Sequence, residues 1–349
     1  MKKLFAMLLA LVMCLALCVP AFAVPFSEVP ADKKLANDGH STVTITKNYT
    51  LTNAGTISPA EEFTFTITRE SVADAAANVT KDNMPCPTIA SVSYVAGDAG
   101  KTNDMTKNVV VTLPIYESVG VYTYIIKETA GNTAGVTYFS GDIKLVVTVV
   151  NDESTGAAEG AKLVIAGVHT ETSGDKTDSF DNVYSAGTLN IGKTVAGTLG
   201  DKSKYFEFTV TLTGETGKTN SSTITTNGAT LSYRGENDTT NPTTVTIGEA
   251  AKFYLKHGET FTISNIPYGV TYTVEETSVT GYTATTNVVD ESGTTGKIDS
   301  SSETYTITNT KDGNIDMGVT LESLPYVLAL VIVAGGAAVM FARKRRVED

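Results

Sequence analysis

Residue types that are costly inside a protein recur on inward registers of this chain. In VTITKNYTL (43–51) strict alternation puts Val43, Ile45, Tyr49 and Leu51 on one face of a strand, and Lys47 shares that face. LNIGKTV (189–195) does the same with Lys193 among Leu189, Ile191 and Val195. Two carboxylates follow the same rule. Tyr122, Tyr124 and Ile126 lead to Glu128, and Tyr272 and Val274 lead to Glu276. Two carboxamides complete the sets: Asn182 between Phe180 and Tyr184, and Asn309 after Tyr305 and Ile307. Lysine and glutamate are 81 residues apart in the first set (47 to 128) and 83 in the second (193 to 276).

Taken singly, each has an ordinary explanation. An inward lysine protects a sheet edge, a glutamate at a strand end is solvated, and an asparagine there belongs to a turn. Three together, repeated in one order, point to groups that satisfy one another. Burial disfavours charge, so it turns lysine into a neutral amine nucleophile and glutamate into a protonated acid. Such an acid, bonded to the asparagine carbonyl, polarises it for attack. Ammonia leaves and an amide joins Lys to Asn. Folding supplies the proximity, and no cofactor is needed.

These residues need strands to hold them. Thr, Val, Ile and Tyr predominate in short runs separated by Gly, Asn, Asp and Ser, which predicts an all-β chain of sandwich domains. The clearest strands are 63–68, 109–113, 121–128, 143–150, 206–213 and 261–266, and the alanines of Ser71–Asn83 suggest one short helix. VTITKNYTL followed by EEFTFTITRE is echoed by LNIGKTVAGTL followed by KYFEFTVTLTG, and YTYIIKETA by VTYTVEETS. The repetition predicts two tandem immunoglobulin-like β-sandwich domains, 42–186 and 187–311, after an N-terminal extension at 24–41.

The ends differ from this middle. Residues 1–23 carry Lys2, Lys3, an apolar run and Ala21-Phe22-Ala23, which reads as a secretory signal peptide. After a linker at 312–323, residues 324–342 hold no charge and are long enough for a transmembrane helix; the basic tail 343–349 then stays in the cytoplasm. The net charge of −12 and the lack of a basic, aromatic-studded patch exclude nucleic acid as a partner. Outside the signal peptide only Cys86 remains, so no internal disulfide is available and a small apolar role suits it. His40, His169 and His257 lack metal-ligand spacing, and residues 290–303 read as a solvated hairpin loop rather than a cation site. No enzyme's catalytic set is visible.

Over residues 42–311 the chain resembles the major backbone pilins of Gram-positive bacteria, of the streptococcal T-antigen type with isopeptide-linked immunoglobulin-like domains. TITK, YIIKE and FDN carry the likeness in the first half, and NIGK, YTVEE and TITN in the second. The second half is also similar to collagen-adhesin B-type repeats. The resemblance implies a Lys47–Asn182 bond promoted by Glu128 and a Lys193–Asn309 bond promoted by Glu276. It also implies covalent assembly at the cell surface by a sortase, onto other pilin subunits or peptidoglycan. The stretch corresponding to an LPXTG motif is NIDMG, with Ile315 and Met317 where proline and threonine are expected, and Asp316 and Gly318 beside them. Cleavage before Gly318 by a divergent sortase is one outcome, and a membrane-tethered stalk is the other. Lys176 is a candidate to receive the next subunit. The rival to a shaft subunit is a single-copy adhesin binding a host ligand.

Overall fold

The computed structural model describes residues 26–28, 40–151, 163–173, 175–176, 178–220, 223–226, 241–288, 294–313 and 324–345. Residues 1–23 and the NIDMG stretch lie outside them. The chain first forms β1 (Phe26–Glu28), β2 (His40–Leu51), β3 (Glu61–Ala73), β4 (Thr88–Ile89), β5 (Val92–Tyr94) and β6 (Thr106–Thr112). There follow β7 (Gly120–Thr129), β8 (Val136–Thr137), β9 (Asp142–Asn151), β10 (Leu163–Thr172), β11 (Asp175–Lys176) and β12 (Ser179–Tyr184). One sheet has the order β4-β6-β2-β12-β8 with β1 added on β2; the other runs β11-β10-β9-β7-β3-β5. Their inner faces enclose a core that includes Val43, Ile45, Tyr49, Val109, Tyr122, Ile126 and Leu145.

A second sandwich begins two residues after β12. It comprises β13 (Ala186–Ala196), β14 (Phe206–Thr213), β15 (Thr223–Thr225), β16 (Thr244–Thr246) and β17 (Ala250–Leu255). It continues through β18 (Thr260–Pro267), β19 (Thr271–Glu276), β20 (Thr283–Val288), β21 (Thr295–Lys297) and β22 (Ser302–Thr310). The sheets are β18-β13-β22-β20 and β17-β14-β19-β21, with β15 and β16 paired separately. Leu189, Ile191, Phe208, Val210, Val274 and Ile307 lie in its core.

The two sandwiches share one construction. In each, the first long strand lies parallel to the last, β2 beside β12 and β13 beside β22. Short hairpins cannot join parallel neighbours, so the rest of each domain is the connection between them. At the junction, Asn53 Nδ2 donates to Ala186 O (2.8 Å) and Tyr268 Oη (2.7 Å), and Asn265 exchanges two hydrogen bonds with the Ile57 backbone. Gly135 has φ +76°, and a Cβ there would lie 2.5 Å from Ser185 O, so only glycine passes this corner unstrained.

Two sequence expectations are corrected. The helix at Ser71–Asn83 does not form: β3 continues to Ala73, paired with Val121 of β7, and turns follow. The strand partner outweighs the helix preference of alanine, which is worth only tenths of a kcal/mol per residue. Nor is 290–303 a simple solvated hairpin. Its described part contains β21, which crosses to pair with β19 of the opposite sheet, and Ile298 is fully buried. After residue 313 the next described element is the 22-residue helix α1 (Leu324–Arg345), whose apolar side chains, Leu328, Val331 and Ile332 among them, are exposed. Among the described residues alone, no helix is long and apolar enough to cross a membrane. A membrane role for α1 therefore rests on the sequence of 324–342.

Candidate functional site

Strand pairing brings the first three polar residues together. In the parallel register of β2 and β12, Lys47 lies opposite Phe180 and Tyr49 opposite Asn182. Lys47 and Asn182 are therefore two residues out of step on neighbouring strands and on the same inward face. Both are fully buried. Glu128 reaches them across the core, from β7 of the facing sheet, and its side chain is buried too. The second domain repeats this with Lys193 on β13, Asn309 on β22 and Glu276 on β19.

In each domain one carboxylate holds both partners. Glu128 Oε2 lies 3.0 Å from Lys47 Nζ, and its Oε1 accepts a short hydrogen bond from Asn182 Nδ2. Glu276 Oε2 accepts from Lys193 Nζ at 2.8 Å, and its Oε1 accepts from Asn309 Nδ2. Lys47 Nζ also donates to Phe180 O at 3.2 Å and sits 4.3 Å from the centroid of the Phe63 ring. Lys193 Nζ sits 4.4 Å from the Phe206 ring and 5.7 Å from Phe208. Phe63 and Phe206 are equivalent positions in the repeated FTFTIT and FEFTVTL strands. The amines are thus floored by aromatic rings and shut off from water.

Electrostatics follows from that seclusion. Burial pushes the Lys47 ammonium down to about 8, against the pull of Glu128. Lys193 is lowered for the same reason, opposed by Glu276. Burial raises Glu128, against hydrogen bonding from Asn182 and the charge of Lys47. Lys47 and Glu128 are thereby biased toward sharing one proton as neutral amine and neutral acid.

The glutamates do not bond the asparagine carbonyls, as the sequence reading expected. They face the Nδ2 groups. In the first domain the reason is visible: the Phe139 N–H donates to Asn182 Oδ1 at 2.9 Å, so the oxygen is taken and Nδ2 turns to the carboxylate. Facing the amino group suits a proton carrier between the entering amine and the departing nitrogen. Sequence parity could not have found Phe139, because its contribution is a backbone N–H. The aromatic floor was readable from the repeated strands.

Lys176 lies elsewhere, exposed on β11 at the edge of its sheet and opposite Glu171. Cys86 is half-buried against the first core, with Sγ 4.0 Å from Ile67 O.

Comparison with known proteins agrees with this picture. Residues 43–185 match the model of the Spy0128-like isopeptide containing domain, and residues 187–311 match a domain family of unknown function. The pilin of Streptococcus pyogenes serotype M1 is 30% identical over 329 residues, covering 87% of this chain and 90% of that protein. The S. pyogenes pilus tip adhesin Cpa is 33% identical over 99 residues, 28% of this chain and 13% of the adhesin. The crystal structure of the S. pyogenes major pilin superposes with a TM-score of 0.51 at 27% identity, covering 78% of this chain and 99% of that one. The chain belongs to the family of Gram-positive backbone pilins.

Proposed function

We propose that each sandwich of this pilus shaft subunit welds its first strand to its last through an isopeptide bond, Lys47 to Asn182 and Lys193 to Asn309. The observation that carries the reading is a single buried carboxylate engaging amine and carboxamide together, in both domains. The lysine gives a proton to Glu128 or Glu276, and the freed Nζ attacks the asparagine Cγ. The glutamate then protonates Nδ2, which leaves as ammonia, and recovers a proton from the attacking nitrogen. Each bond forms once, so the protein is structural rather than an enzyme. Closing a loop of about 100 residues limits the unfolded chain by roughly 4–5 kcal/mol on the loop-entropy model.

Assembly uses other surfaces. Lys176 accepts the carboxyl end of a neighbouring subunit, a role supported by its exposure on an edge strand. Before that transfer, α1 holds the chain in the membrane, and a sortase releases it near Gly318 to another pilin or to peptidoglycan. The covalent polymer, rather than a single-copy adhesin, is the form favoured by similarity over 90% of the S. pyogenes pilin.

Four outcomes are expected. The folded chain should weigh about 34 Da less than its sequence, two ammonia losses, with Glu128→Ala and Glu276→Ala each restoring one. Under force, Glu128→Ala should release roughly 450 Å of chain between residues 47 and 182, at about 3.3 Å per residue, where the wild type releases none. Bond formation in the first domain should show a bell-shaped pH profile, because the reactive pair holds one shared proton. Above about 8 the pair loses that proton and the rate falls; in acid Glu128 and the amine are both protonated and it falls again. A rate still climbing from pH 8 to 10 would contradict the shared proton. Finally, Lys176→Arg should collapse the ladder of covalent multimers in wall extracts to monomer; an intact ladder would exclude Lys176.

A further inference from the structure

The two clusters differ at the asparagine oxygen. Asn182 Oδ1 accepts the Phe139 N–H at 2.9 Å, whereas Asn309 Oδ1 is buried with no hydrogen-bond partner among the described residues. That oxygen is where negative charge collects when the amine adds to Cγ. A fixed N–H aimed at it lowers the barrier by favouring the charge that develops.

The difference has a cause in the sheets. In the first domain the strand beyond β12 is β8, only two residues long and paired at Val183 and Tyr184. The chain then leaves the ladder, which frees the Phe139 N–H for a side chain. Two contacts fix this departure. Tyr138 Oη donates to Glu61 Oε1 at 2.7 Å, and the Phe139 ring packs edge-on against Phe180 with centroids 5.3 Å apart. In the second domain the corresponding strand β20 runs for six residues, with Ala284 directly opposite Asn309. Its backbone remains in the ladder and offers the Asn309 oxygen nothing.

We infer that the Phe139 backbone N–H is the oxyanion donor for the first-domain cross-link, and that the second domain, with no such donor among its described residues, closes its bond more slowly. The inference rests on the cross-linking reading above. When Lys47 Nζ bonds to Asn182 Cγ, the carbonyl π electrons move onto Oδ1 and are held there by this N–H. They return as the bond to Nδ2 breaks and ammonia departs with the proton from Glu128. Every proton and electron pair is supplied by Lys47, Glu128 and Asn182, so no further reactant is needed.

The test follows ammonia loss by mass in the full chain after cell-free synthesis. Lys193→Ala isolates the first-domain bond and Lys47→Ala the second. Replacing Phe139 by phenyllactic acid, which exchanges only its N–H for an ester oxygen, should slow the first bond by on the order of 10²–10³. The second bond in the same ester chain should keep its wild-type rate. With no ester present, the first bond should form before the second, a comparison that stands even if the ester chain folds poorly. Equal rates in the two domains, or an ester chain that reacts like the wild type, would overturn the donor role while leaving the cross-links intact. Absence of any ammonia loss from the unaltered chain would instead overturn the cross-linking reading itself.

Discussion

The arrangement depends on keeping a lysine amine away from water beside a single carboxylate. A buried ion pair is a poor source of stability, because losing hydration costs several kcal/mol per ion and the mutual attraction offsets it only in part. Lys47 and Glu128 accept that cost at the centre of a β-sandwich, and Lys193 and Glu276 repeat it. Forming a neutral amide would remove the charge permanently, so the same burial that burdens the unreacted domain favours the proposed cross-link. Aromatic rings beneath each amine keep the pocket dry, and the core around them fixes the geometry that a bimolecular reaction in water would lack.

Topology turns that local chemistry into a mechanical property. Because the first and last strands of each domain lie side by side and parallel, a load at the two ends shears them past one another. The proposed amide between Lys47 and Asn182 would take the load near the middle of both strands and bypass the intervening 134 residues, 48 to 181. The path would continue from β12 into β13, which begins two residues later, and meet the second proposed link at Lys193. Between two such cross-links only residues 182–193 would carry tension through the main chain. A chain whose only cysteine beyond residue 23 is Cys86 has no internal disulfide route to such a path in that part, and an amide is indifferent to reductants.

Much of this was readable in the sequence because strands have a period of two. The register that puts Ile45 and Tyr49 inside must put Lys47 inside as well, and the internal repetition separates a pattern from an accident. The same parity placed Glu128, Glu276, Asn182 and Asn309 on inward faces, and the structure brings each three together. What could not be read depends on where strands stop. Alanines at 75–77 look helical, yet β3 is held by β7 through Ala73 and turns take over. The crossing of β21 to β19 is a long-range pairing with no local mark. The orientation of the Asn182 amide is set by a backbone N–H that is free only because β8 ends after two residues.

The central claim, that two buried amines are covalently joined to their facing carboxamides, is tested most directly by tandem mass spectrometry of a protease digest of the folded chain. The account predicts two branched peptides, one carrying Lys47 joined to Asn182 and the other Lys193 joined to Asn309, each fragmenting as two sequences from one parent ion. Recovery of the four residues only on separate linear peptides, with both asparagine carboxamides intact, would contradict it.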